Sequence, residues 1–302
     1  MSATTSAPES EEALGAKKAP PPSSEGGAGA SWFARFALVL VCVIFTIPTL
    51  GLFISSFRPR EDIITSGWWT VFVGRGLENF SLDNYQAVLD AGMGPSFVNS
   101  LAVAVPATVI PILAAAFAAY AFAWMDFKGR ELLFVIFVGL LVVPLQVAFV
   151  PLTQLFNDLG VTNDFLKLWL AHAGFGMPLA VYILRNYIGS LPREVIESAK
   201  VDGASHFMTF WRLIIPLSVP ALAAFAIFQF LWTWNDYLVA LIFMTSGQEV
   251  VTVTLAELVG SRGQDWHLLT AGAFISMSVP LIVFFALQRF FVRGLTAGSV
   301  KG

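Results

Sequence analysis

The chain has 302 residues, of which 57% are hydrophobic and only 12% are charged. Soluble domains carry about 25% charged residues, so this composition excludes an ordinary soluble protein and predicts an integral membrane protein. The formal net charge of −3 offers no basic surface for nucleic acid, and the single cysteine, Cys42, excludes a disulfide within the chain.

The first segment, residues 1–31, differs in composition from the rest of the chain. It is rich in Ala, Pro, Ser, Gly and Glu and contains the run Pro20-Pro21-Pro22. Such a segment buries too little apolar surface to offset the entropy of ordering, so we predict a disordered cytoplasmic tail. The apolar run behind it starts only at Trp32 and is too long for the core of a signal peptide.

Six apolar runs are each long enough to cross a hydrocarbon layer, which takes about 20 helical residues. We therefore predict an all-α, polytopic membrane helix bundle with six transmembrane helices. Several of the runs contain proline, which kinks helices. The kinks either simply shape the bundle or border a polar path that opens and closes. The predicted spans are Trp32–Phe57, Phe97–Met125, Leu132–Phe156, Phe165–Tyr187, Leu213–Trp234 and Leu268–Phe291.

The fifth run continues beyond its predicted end into a second, shorter apolar piece. Asn235 and Asp236 interrupt the run, and residues 237–244 follow. This piece is too short to span a membrane, so we expect it to be re-entrant or to lie at the outer surface.

The distribution of basic residues predicts the orientation of the bundle. Lys and Arg concentrate in cytoplasmic segments of membrane proteins. With the N-terminus inside, most of the 17 Lys and Arg residues fall in inner segments. Both termini are therefore predicted to be cytoplasmic. The predicted outer segments hold only Arg58, Arg60, Arg75, Lys167 and Arg262.

A polar loop at about residues 190–206 separates the fourth and fifth spans. Ser190 is predicted to cap a short helix there, with Pro192 in its first turn and Glu194 near the positive end of its dipole. Gly203 is expected to end that helix in a left-handed turn. The pattern alone fits either an interfacial amphipathic helix without a partner or a docking element for a soluble protein.

Several signatures of catalysis are absent from the sequence. It contains no phosphate loop of the type G-x-x-x-x-G-K-[ST], no H-E-x-x-H and no G-x-S-x-G. The histidines His172, His206 and His267 are scattered and suggest no metal site. We expect no enzyme activity, metal or cofactor on this chain. Ionisable residues within the spans are few, so an ion-driven mechanism has weak support.

The loop carries a specific family resemblance. Glu197, Ala199, Gly203 and the pair Ile215-Pro216 resemble the EAA signature of ABC importer permeases. The sequence departs from that signature at Ser198, which replaces an alanine, and in the order of its aliphatic residues near Ile215. The resemblance implies a type I ABC importer permease architecture, in which this loop is a coupling helix that sits in a cleft of the ATPase subunit.

The resemblance also implies the residues that couple the permease to the ATPase. Glu197 is expected to pair with a basic ATPase residue, Ala199 to allow close approach, and Gly203 to fix the turn. The expected coupling residues are Glu197, Ala199, Asp202, Gly203 and Pro216.

The resemblance covers nearly the whole chain after Trp32. The tail from Gln288 is similar to that of the maltose-type inner subunit, and residues 66–69 and 223–232 look closest to the α-glucoside branch. Permeases of this kind send the tail between the ATPase subunits. A polar tail without a partner is the alternative. The expected contact residues are Gly294, Thr296, Gly298 and Lys301.

Most side chains with sugar-binding chemistry lie near the end of the fifth span, and one, Gln146, lies in the third. Sugars are recognised by amides, carboxylates and aromatic faces. An interfacial aromatic belt is the alternative for the tryptophans. Trp232 and Tyr237 share this chemistry, and the residues expected to line the sugar path or gate are Gln146, Gln229, Trp234, Asn235 and Asp236.

The resemblance implies the function and partners of the chain. It implies a permease subunit that moves a di- or oligosaccharide of the α-glucoside type across the cytoplasmic membrane of a prokaryote. The implied partners are a second homologous permease, two cytoplasmic ATPase subunits that bind ATP and Mg²⁺, an extracytoplasmic sugar-binding protein and the lipid bilayer. An ion-coupled secondary transporter and a non-transporting membrane scaffold remain alternatives, whereas no constellation of residues supports a membrane enzyme.

Overall fold

The computed structural model describes residues 27–73, 78–245, 247–259 and 265–297, with side chains described for residues 32–289 of these ranges. All regular secondary structure in the described part of the chain is helical. The chain divides into two compact units, of which the first ends at Leu50 and the second begins at Gly51.

The helices vary from single turns to lengths that cross a membrane. In chain order they are α1 (Gly27–Ser56), α2 (Arg60–Thr65), α3 (Asp83–Val88), α4 (Gly94–Trp124), α5 (Arg130–Gly139), α6 (Leu145–Asp158), α7 (Asp164–Gly189), α8 (Arg193–Val201), α9 (His206–Thr209), α10 (Ile215–Trp234), α11 (Leu238–Phe243), α12 (Val251–Leu258) and α13 (Trp266–Ala297).

Five helical stretches of the described residues are long and apolar enough to cross a membrane, and a bent pair adds a sixth if it counts as one span. This confirms the prediction of an all-α polytopic bundle. The stretches are Trp32–Ser56, Asp83–Trp124, Asp164–Gly189, His206–Trp234 and Trp266–Arg289, and the bent pair is Arg130–Val142 with Leu145–Asp158.

The predicted third span, Leu132–Phe156, is wrong as a continuous helix. The chain bends there by 107° between α5 and α6. Pro144 precedes the first residue of α6, and Val143 before it has an extended backbone with ψ of 117°. Proline lacks an amide donor and disfavours helical geometry in the preceding residue, which accounts for the break.

Helix boundaries also differ from the prediction. Helix α1 begins at Gly27, within the segment predicted to be a tail. The second span is helical from Asp83, with a kink at Gly92, where φ is +99°. The short piece after the fifth span forms α11, which packs against α7. Helix α12 was not predicted, because its eight residues are too few for a spanning pattern.

Small residues bring α4 and α7 into close contact at the centre of the second unit. Ala115, Ala116 and Ala119 on α4 and Ala180 on α7 are fully buried in one cluster. Small side chains let membrane helices approach closely, which increases their van der Waals contact. Helix α10 completes this core.

The second unit therefore has two ends, which position the candidate sites. At the α8 end, the last turns of α4 and α7 meet α8 and the start of α10. At the α12 end, the first turns of α4 and the last turn of α10 meet α12, and the first turns of α7 meet α11.

Candidate functional site

The predicted loop helix exists as α8, and its attachment to the bundle is narrow. Among the nine side chains of α8, all of which are described, Ile196 alone is buried, and it is 1% exposed. Ile196 packs into the core that α4, α7 and α10 share. Glu194 lies in the first turn, as predicted. The remaining face of α8 is open to a partner.

The predicted start of this helix needs correction. Ser190 does not cap α8, because α7 continues to Gly189 and Ser190 ends that helix instead. Its hydroxyl donates to the carbonyl of Tyr187 at 2.7 Å. Pro192 precedes the first residue of α8 rather than lying in its first turn.

The end of α8 is a glycine turn of the predicted kind. The amide of Ala204 donates to the carbonyl of Ala199 at 2.9 Å, and the amide of Gly203 donates to the carbonyl of Lys200 at 3.1 Å. Gly203 has a φ of +77°. This pair of bonds is the Schellman motif, which favours glycine at the left-handed position. Ala199 therefore contributes a backbone acceptor to the turn.

The expected coupling residues are accessible. Glu197, Asp202, Gly203 and Pro216 are exposed and Ala199 is half-buried. Pro216 is the second residue of α10 and lies within the continuous helical stretch His206–Trp234. The structure thus brings together the residues from 197 to 203 on α8 and its turn, whereas Pro216 belongs to α10.

A polar cavity of about 390 Å³ lies between α8 and the connection from α4 to α5. It opens at the α8 end, and both acidic and basic side chains line it. Glu197 therefore has basic neighbours within its own chain. The cavity is lined by Ala123, Trp124, Asp126, Arg130, Gly189, Arg193, Ile196, Glu197 and Lys200.

Two hydrogen bonds from α4 reach the segments on either side of α8. The hydroxyl of Tyr120 lies 2.9 Å from Nδ1 of His206, the first residue of α9. The indole of Trp124 donates to the carbonyl of Ile188 at 2.9 Å. Sequence reasoning missed both contacts, because the partners are 86 and 64 residues apart and no local pattern marks them.

The expected C-terminal contact is described only in part. Gly294 and Thr296 lie in the last turns of α13, which continues to Ala297, beyond the predicted end of the span at Phe291. Gly298 and Lys301 lie outside the described residues.

Two of the residues expected on the sugar path are buried between helices instead. Gln229 on α10 is fully buried, and its amide nitrogen donates to the carbonyls of Ala107 at 3.2 Å and His172 at 3.3 Å. Trp234 is 2% exposed, and its indole donates to the carbonyl of Ser276 at 3.2 Å. Both side chains hydrogen-bond to backbone carbonyls, as buried polar groups generally do, and their place on the sugar path or gate stays a prediction.

Of the other three expected path residues, Gln146 and Asn235 are exposed, whereas the Asp236 side chain is only 11% exposed. Gln146 is exposed in the first turn of α6, directly after the helix break. Asn235 and Asp236 line a cavity of about 530 Å³ at the α12 end. The other residues that line this cavity are Phe228, Leu231, Trp232, Tyr237 and Leu238.

Backbone amides at the start of α11 hold the side chain of Asp236 in place. Its carboxylate accepts from the amides of Val239 at 3.4 Å and Ala240 at 3.1 Å, at the start of α11. One carboxylate oxygen lies 3.7 Å from Nε2 of the buried His172 on α7. The carbonyl of Asp236 accepts from the hydroxyl of Thr252 on α12 at 2.5 Å. Asp236 therefore joins α11, α7 and α12 beside the cavity.

Comparison with known proteins gives relatives along most of the chain. The chain is 60% identical to the osmoprotective compounds uptake permease protein GgtD of Synechocystis, over 88% of this chain and 91% of that protein. It is 44% identical to the α-glucoside transport system permease protein AglG of Rhizobium meliloti, over 90% of this chain and 97% of that protein. It is 32% identical to the arabinooligosaccharides transport system permease protein AraQ of Halalkalibacterium halodurans, over 90% of this chain and 97% of that protein.

Solved structures share the fold. A bacterial ABC transporter involved in the import of the acidic polysaccharide alginate matches with a TM-score of 0.63 and 14% identity, over 85% of this chain and 95% of that chain. The same kind of transporter in complex with an alginate-pentasaccharide-bound periplasmic protein matches with a TM-score of 0.59.

A family model fixes the assignment. Residues 111–297 match the model described as binding-protein-dependent transport system inner membrane component, and this match includes α8 and every expected coupling residue. The homologues are ABC importer permease subunits that lack an ATPase site of their own, because the ATPase is a separate subunit. The chain therefore belongs to the family of inner membrane components of binding-protein-dependent transport systems, the permease subunits of ABC importers.

Proposed function

We propose that this chain is the permease subunit of a sugar importer that moves a di- or oligosaccharide of the α-glucoside type inward. Its proposed partners are a second homologous permease, two ATPase subunits that bind ATP and Mg²⁺, and an extracytoplasmic sugar-binding protein. The 44% identity to an α-glucoside permease supports the substrate class. The observation that carries the coupling role is α8, an exposed, charged helix with a fixed glycine end and one buried side chain.

We propose that the α8 end faces the cytoplasm, together with both termini. Arg130, Arg185, Arg193, Lys200 and Arg212 all lie in elements of that end, and basic residues favour the cytoplasmic side. The proposed location is the cytoplasmic membrane of a prokaryote. The α12 end, with its cavity, then faces the sugar-binding protein.

Transport requires that nucleotide binding shift the bundle between two conformations. A ligand moves such an equilibrium only through its difference in affinity for the two states. A shift from 1:99 to 99:1 takes about 5.5 kcal/mol of differential binding. In this proposal the ATPase subunits supply that difference, and α8 carries it through Ile196 into the core of α4, α7 and α10.

The C-terminal end of the chain provides a second proposed contact. Helix α13 reaches Ala297 and so extends six residues past the predicted end of the membrane span. We propose that Gly294, Thr296, Gly298 and Lys301 contact the ATPase pair.

The first test changes α8 within the complete importer in proteoliposomes. Glu197→Lys reverses an exposed charge, and Gly203→Pro is incompatible with a φ of +77°. We expect each variant to insert normally and to lose sugar-stimulated ATP hydrolysis and uptake by at least about tenfold, which is about 1.4 kcal/mol of coupling. Asp158→Lys, an exposed reversal at the end of α6, is the control.

Unchanged coupled transport in both α8 variants would contradict the assignment of the coupling helix. Uptake by this chain alone, driven by an ion gradient without ATPase, would instead support the secondary transporter. A complete importer that neither hydrolyses ATP nor moves sugar would favour the scaffold.

A further inference from the structure

Arg185 is a cation within a membrane-spanning helix, and it has no counter-ion in the described part of the chain. It lies on α7, in the stretch Asp164–Gly189, one turn before that helix ends at the α8 end. No described carboxylate pairs with its guanidinium group, and no described carbonyl accepts a hydrogen bond from it. Charged side chains inside a membrane are rare and normally have a partner. The N–H donors of Arg185 therefore need an acceptor from outside this chain.

An aromatic ring holds the guanidinium group of Arg185 in a defined place. Its central carbon lies 4.6 Å from the ring centroid of Phe134 on α5. Phe134 in turn packs edge to face on Phe122 of α4, with ring centroids 5.7 Å apart, so its position is fixed by the bundle. A guanidinium group that stacks on a ring keeps the N–H donors at its edge uncovered. Arg185 is therefore preorganised for an acceptor that takes two parallel hydrogen bonds, such as a phosphate.

Arg130 brings a second positive charge to the same place. It precedes Phe134 by four residues on α5, and side chains with this spacing are neighbours on one helix face. Asp126 and Glu131, both exposed, lie 3.1 Å and 3.2 Å from its Nη1 and Nε atoms. Its Nη2 group has no acceptor among the described residues. Two guanidinium groups thus face one space between α5 and α7, and their repulsion favours an anion there.

The surroundings of these two groups suit a lipid better than a soluble anion. The outward face of α5 is apolar, and its residues Leu132 and Val135 are 66% and 63% exposed. Tyr182 lies one turn deeper than Arg185 on α7, is exposed, and has no hydrogen-bond partner for its hydroxyl among the described residues. Tyrosine is enriched at the headgroup level of membranes. A soluble phosphate would use neither the apolar face nor this hydroxyl, whereas a phospholipid would use both.

We propose that Arg185, Arg130 and Tyr182 bind the headgroup of an anionic phospholipid between α5 and α7. The lipid phosphate accepts from both guanidinium groups and offsets their repulsion. The hydroxyl of Tyr182 donates to an ester carbonyl of the same lipid, and the acyl chains lie along the outward face of α5. Basic pockets between membrane helices bind anionic headgroups in this way. The bound lipid holds α5 against α7, and the site requires neither the sugar nor the coupling role of α8.

Photo-crosslinking tests the site directly. The complete importer is placed in phosphatidylcholine nanodiscs that contain a photoactivatable phosphatidylglycerol, and the crosslinks are located by mass spectrometry. We expect crosslinks on α5 and on the last turns of α7. Arg185→Gln should lower their yield about fivefold, the effect of one basic group near an anionic surface. Arg212→Gln is the matched control, because Arg212 is exposed at the same end and stacks on no described ring.

Thermal unfolding in nanodiscs gives a second readout. We expect phosphatidylglycerol to raise the unfolding midpoint of the wild-type importer above its value in phosphatidylcholine, which has no net charge. Arg185→Gln should lose this gain. In phosphatidylcholine alone it should unfold no lower than wild type, since it removes one of two repelling charges. If Arg185 only braced Phe134, the substitution would lower the midpoint equally in both lipids, which would overturn the proposal.

Three further results would overturn the lipid site. Equal crosslinking and an equal gain in midpoint for wild type and Arg185→Gln would mean that the guanidinium group is merely hydrated. Suppression of the crosslinks by excess glycerol 3-phosphate in solution would identify a soluble phosphate as the ligand. Weaker co-purification of the ATPase or the second permease with Arg185→Gln, at unchanged crosslinking, would identify a carboxylate of a partner subunit as the counter-ion.

Discussion

At the scale of single residues, Gln229 shows how a polar side chain is accommodated in an apolar bundle. It joins α10 to α4 and α7 through two backbone carbonyls, and it packs directly on Gly176. A methyl group on Gly176 would fall on the Gln229 carboxamide. The close contact of α7 and α10 thus depends on a glycine in α7.

We expect Gly176→Ala to destabilise the bundle by about 1–3 kcal/mol, because the added methyl group displaces the Gln229 carboxamide from the carbonyls of Ala107 and His172. The midpoint of thermal unfolding of the detergent-solubilised complex measures this change. Gly174→Ala is the control in the same helix, since among the described residues no atom lies within 4 Å of its added methyl group. Equal midpoints for the two variants would contradict this packing.

Residue-scale prediction from the sequence succeeds where a local rule decides the conformation. Gly203 follows a short polar helix and adopts the left-handed turn that this position favours. The sequence predicts Gln229 and Trp234 on the sugar path or gate, because their chemistry suits sugar. Their burial depends on carbonyls of other helices, 42 to 122 residues away, which no local pattern encodes.

At the scale of elements, α12 is held against the bundle by hydrogen bonds from the start of α4. The hydroxyl of Ser100 accepts from the amide of Val251 at 2.8 Å, and both residues are buried. The amide of Asn99 donates to the carbonyl of Glu249 at 3.1 Å, and Ser96 bonds Thr254 at 2.6 Å. These bonds fix the segment before α13.

We expect Ser100→Ala to loosen α12, because it leaves the amide of Val251 buried without its partner, at a cost of about 1–3 kcal/mol. Limited proteolysis of residues 245–259 in the detergent-solubilised complex measures the loosening. Ser278→Ala on α13 loses only a bond to the carbonyl of Ile275 in its own helix. Similar cleavage rates in the two variants would argue against this role of Ser100.

The break between α5 and α6 shows the limit of element prediction. Hydropathy identifies an apolar run but does not show whether the run forms one straight helix or two helices at an angle. Proline does not mark the break either, since Pro106, Pro178 and Pro220 all lie inside continuous helices. Whether a proline kinks or ends a helix depends on what its neighbours supply to the freed carbonyls.

At the scale of the whole molecule, the apolar composition was sufficient to predict a polytopic helix bundle. Five of the six predicted spans correspond to continuous helices. The predicted coupling loop lies at one end of the bundle, and the cavity beside Asn235 and Asp236 lies at the other. An importer that couples a cytoplasmic ATPase to an external sugar needs this separation.

We expect deletion of residues 294–302 to lower ATP hydrolysis in the assembled importer several-fold, because the proposed second contact with the ATPase pair is lost. The deletion leaves the membrane-spanning part of α13, to Arg289, intact. Insertion and co-purification with the second permease should therefore be unchanged. Wild-type turnover of the truncated importer would remove the tail from the coupling mechanism.

In the proposed coupling mechanism, the single buried side chain of α8 is the point through which the ATPase subunits act on the bundle. A helix fixed at one central point turns about that point more readily than it slides, so Ile196 acts as a pivot. A small push on the exposed end at Gly203 then becomes a torque on the core where α4, α7 and α10 meet. Under that proposal, the direction of the torque would depend on which end of α8 the ATPase presses, so one short helix would transmit both opening and closing.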